Sequence, residues 1–419
     1  MVQLAVLNGK NVLKDSGGFE EFADMVGMSS SERETRREAL SQSFMPFKVT
    51  RFYAGLIAEQ EEPYRSQMIN IVVPPVAPKR FTGRFDPYGN ASYRHNGDHF
   101  VQHKYRPTLL FHLDDTCVSN CQFCYKVNEI RHEDKERVPI DQRVDRALEY
   151  MAQHSEINNI LFTGGDPAAL IKQAKLAGVI GRLVEPDNIR VVRFATKSLA
   201  YNPEHLRDPE LLDFFYDVNQ RDRKQVSVIA QVNHPGEMNE HSGETVRKLQ
   251  QAGVQVRGQP AIIRGVNDSV ETLVDLQQRF LDNQIISYYL TVFMPVRGVE
   301  QYAIPLHEAS ANVEESKRHL SGLEKKGILL ASHDFGKLEV AGFYPNHDNP
   351  QQIVLKWHQA AMEHHLPQSL KDRVNTKPGE LLILEYQRDM CCIDHVFEAN
   401  GLPHFNSQNK LIVPNLASI

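Results

Sequence analysis

From Thr108 onward, short apolar runs alternate with amphipathic stretches. Residues 108–113, 158–162, 189–195, 226–232, 254–263 and 286–293 read as strands. Residues 141–154, 168–184, 209–216, 242–252, 270–282 and 308–326 read as helices. The runs are rich in Val, Ile, Leu and Phe with little alternation, as expected of parallel strands covered on both faces. Six β-α units in succession predict an α/β fold with a parallel barrel, complete or partial; an open doubly wound sheet is the alternative. Either topology puts ligands at the carboxyl ends of the strands. Residues 1–105 lack this rhythm. Within them, 29–43 is polar with helical composition and offers Ser29, Ser30 or Ser31 as a cap. Residues 72–87 are rich in Pro and Gly and read as an extended arm or a linker. After about residue 345 the rhythm fades, with one further strand candidate at 352–357. The domains expected are an N-terminal region (1–105), a barrel core (106–345) and a C-terminal extension (346–419).

Composition narrows the function classes. At 41% apolar and 24% charged, the 419-residue chain reads as globular. A net charge of −6 gives no strong pull toward nucleic acid or an anionic membrane. No apolar run approaches the ~20 residues that span a bilayer. The apolar stretch from Val2 to Leu7 has neither a basic flank nor a cleavage site, so no signal peptide is expected. Five cysteines do not make a disulfide framework, and a cytoplasmic location is expected.

Three of those cysteines, Cys117, Cys121 and Cys124, stand as C-x3-C-x2-C just after the first predicted strand. Three thiolates this close can ligate three irons of one [4Fe-4S] cubane and leave the fourth open. Zinc would usually need a further nearby Cys or His. The second strand ends in Gly164-Gly165-Asp166-Pro167, where backbone can approach a ligand and a carboxylate can hold an ammonium group. Cys391 and Cys392, near His395, read as buried or loop thiols.

The cysteine spacing resembles the signature of the radical S-adenosylmethionine (SAM) enzymes. With Gly164-Gly165-Asp166-Pro167, Asn233-His234-Pro235-Gly236-Glu237 and Gln259 through Asp268, the chain resembles the lysine 2,3-aminomutase family over residues 100–340. That resemblance implies a [4Fe-4S] cluster on the three cysteines, and SAM beside Gly164, Gly165, Asp166, His234 and Gln259, with Lys197 in reserve. It also implies pyridoxal 5′-phosphate (PLP) on a lysine after the last barrel strand, here Lys337 in the expected turn 332–337. Lys104, Tyr105 and Arg106 match the segment that grips the PLP phosphate. Lys126 stands where the family has an arginine for the substrate carboxylate. The two aspartates that read the lysine side chain fall on Met294 and Leu330, so an amino acid other than free lysine is expected. Arg297, His333 and Asp334 are further candidates for substrate contact.

The implied reaction is a 2,3-amino shift started by a 5′-deoxyadenosyl radical. Desaturation, hydroxylation, epimerisation or decarboxylation of a PLP-bound amino acid stays open, as does a non-catalytic iron–sulfur or SAM-binding role. The partners implied are a small amino-acid substrate, a flavodoxin- or ferredoxin-type electron donor and further copies of the chain, since the family is often oligomeric.

Overall fold

The computed structural model describes residues 11–77, 82–127, 138–168, 173–221 and 223–414. The Val2–Leu7 stretch lies outside them. The core is a sheet entered by antiparallel strand β1 (Val101–Tyr105) beside β2 (Thr108–Asp114). Parallel strands follow in chain order: β3 (Asn159–Gly164), β4 (Val191–Thr196), β5 (Gln225–Ala230) and β6 (Gln255–Gly258). The predicted strand 254–263 is broken into β6 and β7 (Ala261–Ile262) at Gln259-Pro260, because Pro260 has no N–H to continue the ladder. The next is likewise split into β8 (Ile286–Ser287) and β9 (Tyr289–Val292). Backbone bonds carry the sheet across both breaks: Gln259 N to Ala230 O at 3.0 Å, Tyr288 N to Gly258 O at 2.9 Å and Thr291 N to Pro260 O at 2.9 Å.

The sheet extends past the sixth predicted strand. A seventh parallel strand, β10 (Ile328–His333), pairs with β9. Antiparallel strands β11 (Gly336–Tyr344), β12 (Gln352–Ala360) and β13 (Leu381–Glu385) continue from it. Strand β1 comes back against the far part of the sheet: Met362 N, just past β12, donates to Lys104 O at 3.0 Å, and Lys104 Nζ to His333 O on β10 at 2.5 Å. The sheet is thus curled, which is compatible with a barrel.

Helices Ile140–Gln153, Gln173–Val184, Pro209–Gln220 and Glu240–Gln251 cover one face. That face is recorded in the strands: Ile160, Phe162, Val192, Phe194 and Val256 are buried in the core under these helices. Asn159, Arg193 and Arg257, one residue out of phase, turn to the concave face. Residues 11–77, which show no strand–helix rhythm, form helices Asp15–Met25, Ser30–Gln42, Arg51–Ala58 and Tyr64–Val72. The second starts at Ser29, whose Oγ accepts from Glu32 N at 3.2 Å. Their core includes Val118, Phe123 and Val127 of the cysteine loop.

Candidate active site

The cysteine loop follows β2 and is strapped to the N-terminal helices. Lys48 Nζ donates to Cys117 O at 2.6 Å, Thr50 N to Ser119 Oγ at 2.9 Å, and Gln122 N to Ile71 O at 2.8 Å. Burial pushes the Cys117 and Cys121 thiols up, and Cys117 also feels the charges of Asp166, Cys124 and Cys121. Three thiolates here therefore need a cationic partner. The three sets of metal-binding atoms that lie within 4.8 Å of one another among the described residues do not include this trio. The thiols of Cys117, Cys121 and Cys124 fit the cluster that the resemblance implies.

Gly164 and Gly165 lie against this loop. A Cβ on Gly165 would come within 2.3 Å of Thr116 O. Asp166 N donates to that same oxygen at 2.9 Å. The Asp166 side chain is spent on the protein: it accepts from Thr196 Oγ1 at 2.6 Å, Lys197 N at 2.8 Å and Ala168 N at 3.0 Å. It braces β3 against β4, with both carboxylate oxygens already accepting bonds from the protein. Lys126 is also engaged, donating to Thr163 Oγ1 at 2.9 Å and Gly164 O at 3.0 Å. It ties the cysteine loop to the end of β3.

Lys337 is inside a strand, not in the turn expected; the turn itself is Asp334-Phe335, and Lys337 pairs with Ser332. Its ammonium lies 5.4 Å from the Tyr105 ring and 5.2 Å from the Tyr289 ring. Burial, then Arg193 and Lys104, bring its pKa down to about 7. Lys104 is brought down to about 8, chiefly by burial. Among the described residues neither Lys337 nor Arg193 has an ion-pair partner. Arg193 Nε donates to Asn159 Oδ1 at 3.1 Å. A lysine poised to lose its proton, walled by tyrosine rings and beside uncompensated cations, fits PLP: amine for the aldehyde, rings for the pyridine, cations for the phosphate. Tyr105 and Lys104 are part of this wall, but Arg106 is exposed at the β1–β2 turn and turns away. Arg193, Tyr289 and His358, whose Nε2 lies 2.9 Å from Tyr289 Oη, were not singled out from the sequence. The signal was an arginine inside the apolar run Val191–Thr196.

The remaining candidates divide. His234 is buried with both nitrogens used: Nδ1 accepts from Gly236 N at 3.1 Å and Nε2 meets Gln67 Oε1 at 2.8 Å. Burial holds its pKa at about 3, so it is a neutral cap rather than an open ligand contact. Gln259 sits at the β6–β7 break, partly exposed. Its side chain is bonded to no other described residue. Arg297 lies over the Phe85 ring at 5.0 Å. Met294 and Leu330 are buried and apolar. His333 and Asp334 are held by a latch from outside: Arg84 Nη1 is 2.5 Å from Asp334 Oδ2 and 3.1 Å from Asp394 Oδ2, and His333 Nε2 is 2.9 Å from Asp394 Oδ1. The guanidinium fills the place a metal would take there.

The two halves of the site are joined by Tyr88. Its carbonyl accepts from Lys104 Nζ at 3.1 Å, and its ring meets Tyr125, next to Cys124, at 4.8 Å. Sequence relatives decide the family. A protein of Aquifex aeolicus, provisionally named an L-lysine 2,3-aminomutase, is 30% identical over 343 residues, 81% of this chain and 87% of that one. The chain belongs to the L-lysine 2,3-aminomutase family. The aminomutase of Haemophilus influenzae is 30% identical over 210 residues, 50% of this chain and 59% of its own. That of Clostridium subterminale is 26% identical over 257 residues, 61% of this chain and 60% of its own. No family model matches the chain. A radical SAM methyltransferase from Sphaerobacter thermophilus aligns with a TM-score of 0.37 at 12% identity, over 55% of this chain and 70% of that one. No helix among the described residues is long and apolar enough to cross a membrane. Cys391, Cys392 and His395 converge within 4.8 Å at the start of helix Ile393–Ala399, with Cys391 Sγ 3.8 Å from His395 Nδ1.

Proposed function

We propose that this aminomutase relative performs a 2,3-amino shift on an amino acid other than free lysine, using a [4Fe-4S] cluster, SAM and PLP. When bound, the cluster and SAM supply a 5′-deoxyadenosyl radical, and PLP supplies the π-system that lets an amino group pass between neighbouring carbons. Cys117, Cys121 and Cys124 hold the irons. Lys337 would hold PLP, and its lowered pKa of about 7 would make the neutral amine available for that bond near neutral pH. Arg193 and Lys104 would supply positive charge for its phosphate, and Tyr105 and Tyr289 would offer aromatic walls. Gly165 lets the cysteine loop sit on the end of β3, and Gln259 offers a free amide at the mouth of the sheet. Tyr88 keeps the lysine side and the cysteine side in register, which the reaction needs because a radical formed at one must reach a substrate held at the other.

The observation that carries this reading is Lys337: a lysine near neutrality on the concave face, walled by tyrosines and facing unpaired cations. The substrate reading rests on Met294 and Leu330, which leave a lysine side-chain ammonium without a carboxylate at those positions. The test is anaerobic incubation of reconstituted protein with SAM, PLP, reductant and an amino-acid panel. Deoxyadenosine and a product of unchanged mass, shifted in amino position, are expected with an amino acid other than lysine. Efficient turnover of lysine would overturn the substrate reading, and a changed product mass would overturn the amino shift. Lys337→Ala should still cleave SAM but lose the absorbance of lysine-bound PLP; retention of that band would overturn the role of Lys337.

A further inference from the structure

On the far side of the cysteine loop from Gly165 lies a buried polar network that neither the cluster ligation nor the Lys337 pocket uses. Tyr201 closes the short helix Ser198–Tyr201 after β4, and its Oη is 3.0 Å from Cys121 Sγ. Its carbonyl accepts from Thr50 Oγ1 at 2.8 Å, and the Tyr53 ring packs edge-on against its own ring at 4.7 Å. Lys197 Nζ stands 5.1 Å from the centre of the Tyr201 ring and donates to Glu237 Oε1 at 2.5 Å and Gln231 O at 2.9 Å. Tyr53 Oη donates to the same Glu237 oxygen at 2.7 Å, and Asn233 N donates to the other at 2.6 Å. Tyr201 is 2% exposed, and Tyr53 and Glu237 are 0% exposed.

Polar groups this deep are costly unless every one is paired. Here they are, and the pairing leaves one directed feature. The Lys197 and Glu237 charges cancel. Tyr53 and Lys197 pack against the Tyr201 ring, and Thr50 holds its backbone carbonyl. An iron-bound Cys121 sulfur carries no proton, so the tyrosine must be the donor of the 3.0 Å contact. Hydrogen bonds to cluster sulfurs stabilise the more negative, reduced state and so raise the potential.

We propose that Tyr201 is a positioning residue for the cluster: it donates a hydrogen bond to Cys121 Sγ, raises the cluster's reduction potential and fixes that ligand's rotamer, with Tyr53, Lys197 and Glu237 as its scaffold. The proposal rests on the reading of Cys121 as a cluster ligand. The step concerned is the uptake of one electron by the cluster from an external reductant, with no proton transferred, since Tyr201 keeps its hydrogen.

The test is an anaerobic redox titration of reconstituted protein, followed by the electron paramagnetic resonance signal of the reduced cluster, with iron counted on the same samples. Tyr201→Phe should bind the wild-type amount of iron and give a more negative midpoint, where each tenfold loss in the reduced-to-oxidised ratio at fixed potential is 59 mV. An unchanged midpoint with full iron would overturn the proposal. A second protein carrying 3-fluorotyrosine at position 201 keeps the packing, so it decides the matter if the Phe variant does not fold. Its more acidic hydroxyl should move the midpoint positive, and no shift or a negative one counts against Tyr201. Wild-type protein that takes up no iron would sink the ligation reading itself, an outcome the iron count separates from a cluster that assembles with a Tyr201-independent midpoint.

Discussion

Gly165→Ala tests how the cysteine loop is seated. The added Cβ would stand 2.3 Å from Thr116 O, 2.5 Å from its carbonyl carbon and 2.6 Å from its nitrogen. All three are backbone atoms, so no rotamer can relieve the contact. Ordinary separation would need the loop to retreat by about 1 Å. The bond from Asp166 N to Thr116 O spans the same gap at 2.9 Å and would go with it. Overpacking of this kind costs ~1–3 kcal/mol, and the lost buried hydrogen bond about 1 kcal/mol more, so a loss of about 2–4 kcal/mol is expected. Because Thr116 precedes Cys117, iron uptake should fall as well. The assays are urea unfolding of the apoprotein and iron content after anaerobic reconstitution. Gly178→Ala is the control: nothing lies within 4 Å of its Cβ, and alanine within a helix should gain ~0.5–1 kcal/mol. A Gly165→Ala protein within about 0.5 kcal/mol of wild type with full iron would refute the packing argument.

Four further outcomes follow. Uptake of PLP, read by the growth of its lysine-bound absorbance, should rise as pH passes through about 7 and level off above it, because Lys337 reacts only as the free amine; a rise delayed to the pH of an ordinary lysine, ~10.4, would contradict its burial. For the same reason the folded apoprotein binds fewer protons than the unfolded chain between about 7 and the ordinary lysine value, so its unfolding free energy should climb with pH across that window and be lowest below it; a flat profile would be evidence against the shift. Arg193→Met removes a cation that repels Lys337, so the pH profile of PLP uptake should move upward while the apparent Kd for PLP rises several-fold; an unmoved profile would exclude Arg193 as its neighbour in solution. His234→Ala should lower stability by ~1–3 kcal/mol through its lost bonds to Gly236 and Gln67, yet leave deoxyadenosine formation per folded molecule unchanged; a selective loss of SAM cleavage would restore it as a ligand contact.

The sheet was readable where strands are buried on both faces and separated by amphipathic helices. Residues 270–282 emerge as the helix Val270–Asp282 with the expected bounds. The apolar-run reading failed where strands turn one face to the concave side. Lys337 and Glu339 alternate with Leu338 and Val340 in β11, and that pattern does not look like a parallel strand, whereas the candidate at 352–357 emerges inside β12. The same mixture hid Lys337's place in a strand. Motif reading and the family resemblance singled out the cysteines, Gly165 and Lys337 because the patterns that mark them are local in sequence. It assigned open roles to Asp166, Lys126 and His234, whose partners Thr196, Gly164 and Gln67 are set by the tertiary fold. Tyr201 carries no motif at all; its importance comes from a distance of 80 residues in the chain and 3.0 Å in space.

The charges on the concave face bear on what it can hold. Lys337 and Arg193 stand there without carboxylate partners, and Arg257 stacks near Tyr288, 5.9 Å from its ring centre. Glu339, the acid on the same side of β11, is already neutralised by Lys356 at 2.9 Å. In register with Glu339 across the sheet is Leu330, where the family resemblance led to the expectation of an apolar residue in place of an aspartate. A cofactor phosphate and a substrate carboxylate both add negative charge to such a surface, and each lowers the cost of burying the cations already present. A substrate side chain ending in an ammonium adds to the repulsion instead. Lys126 is tied to Gly164, while Arg297, a few residues beyond β9, rests on the Phe85 ring and has no ion-pair partner among the described residues. These charges support the proposed reading of a substrate whose side chain is uncharged or acidic rather than cationic.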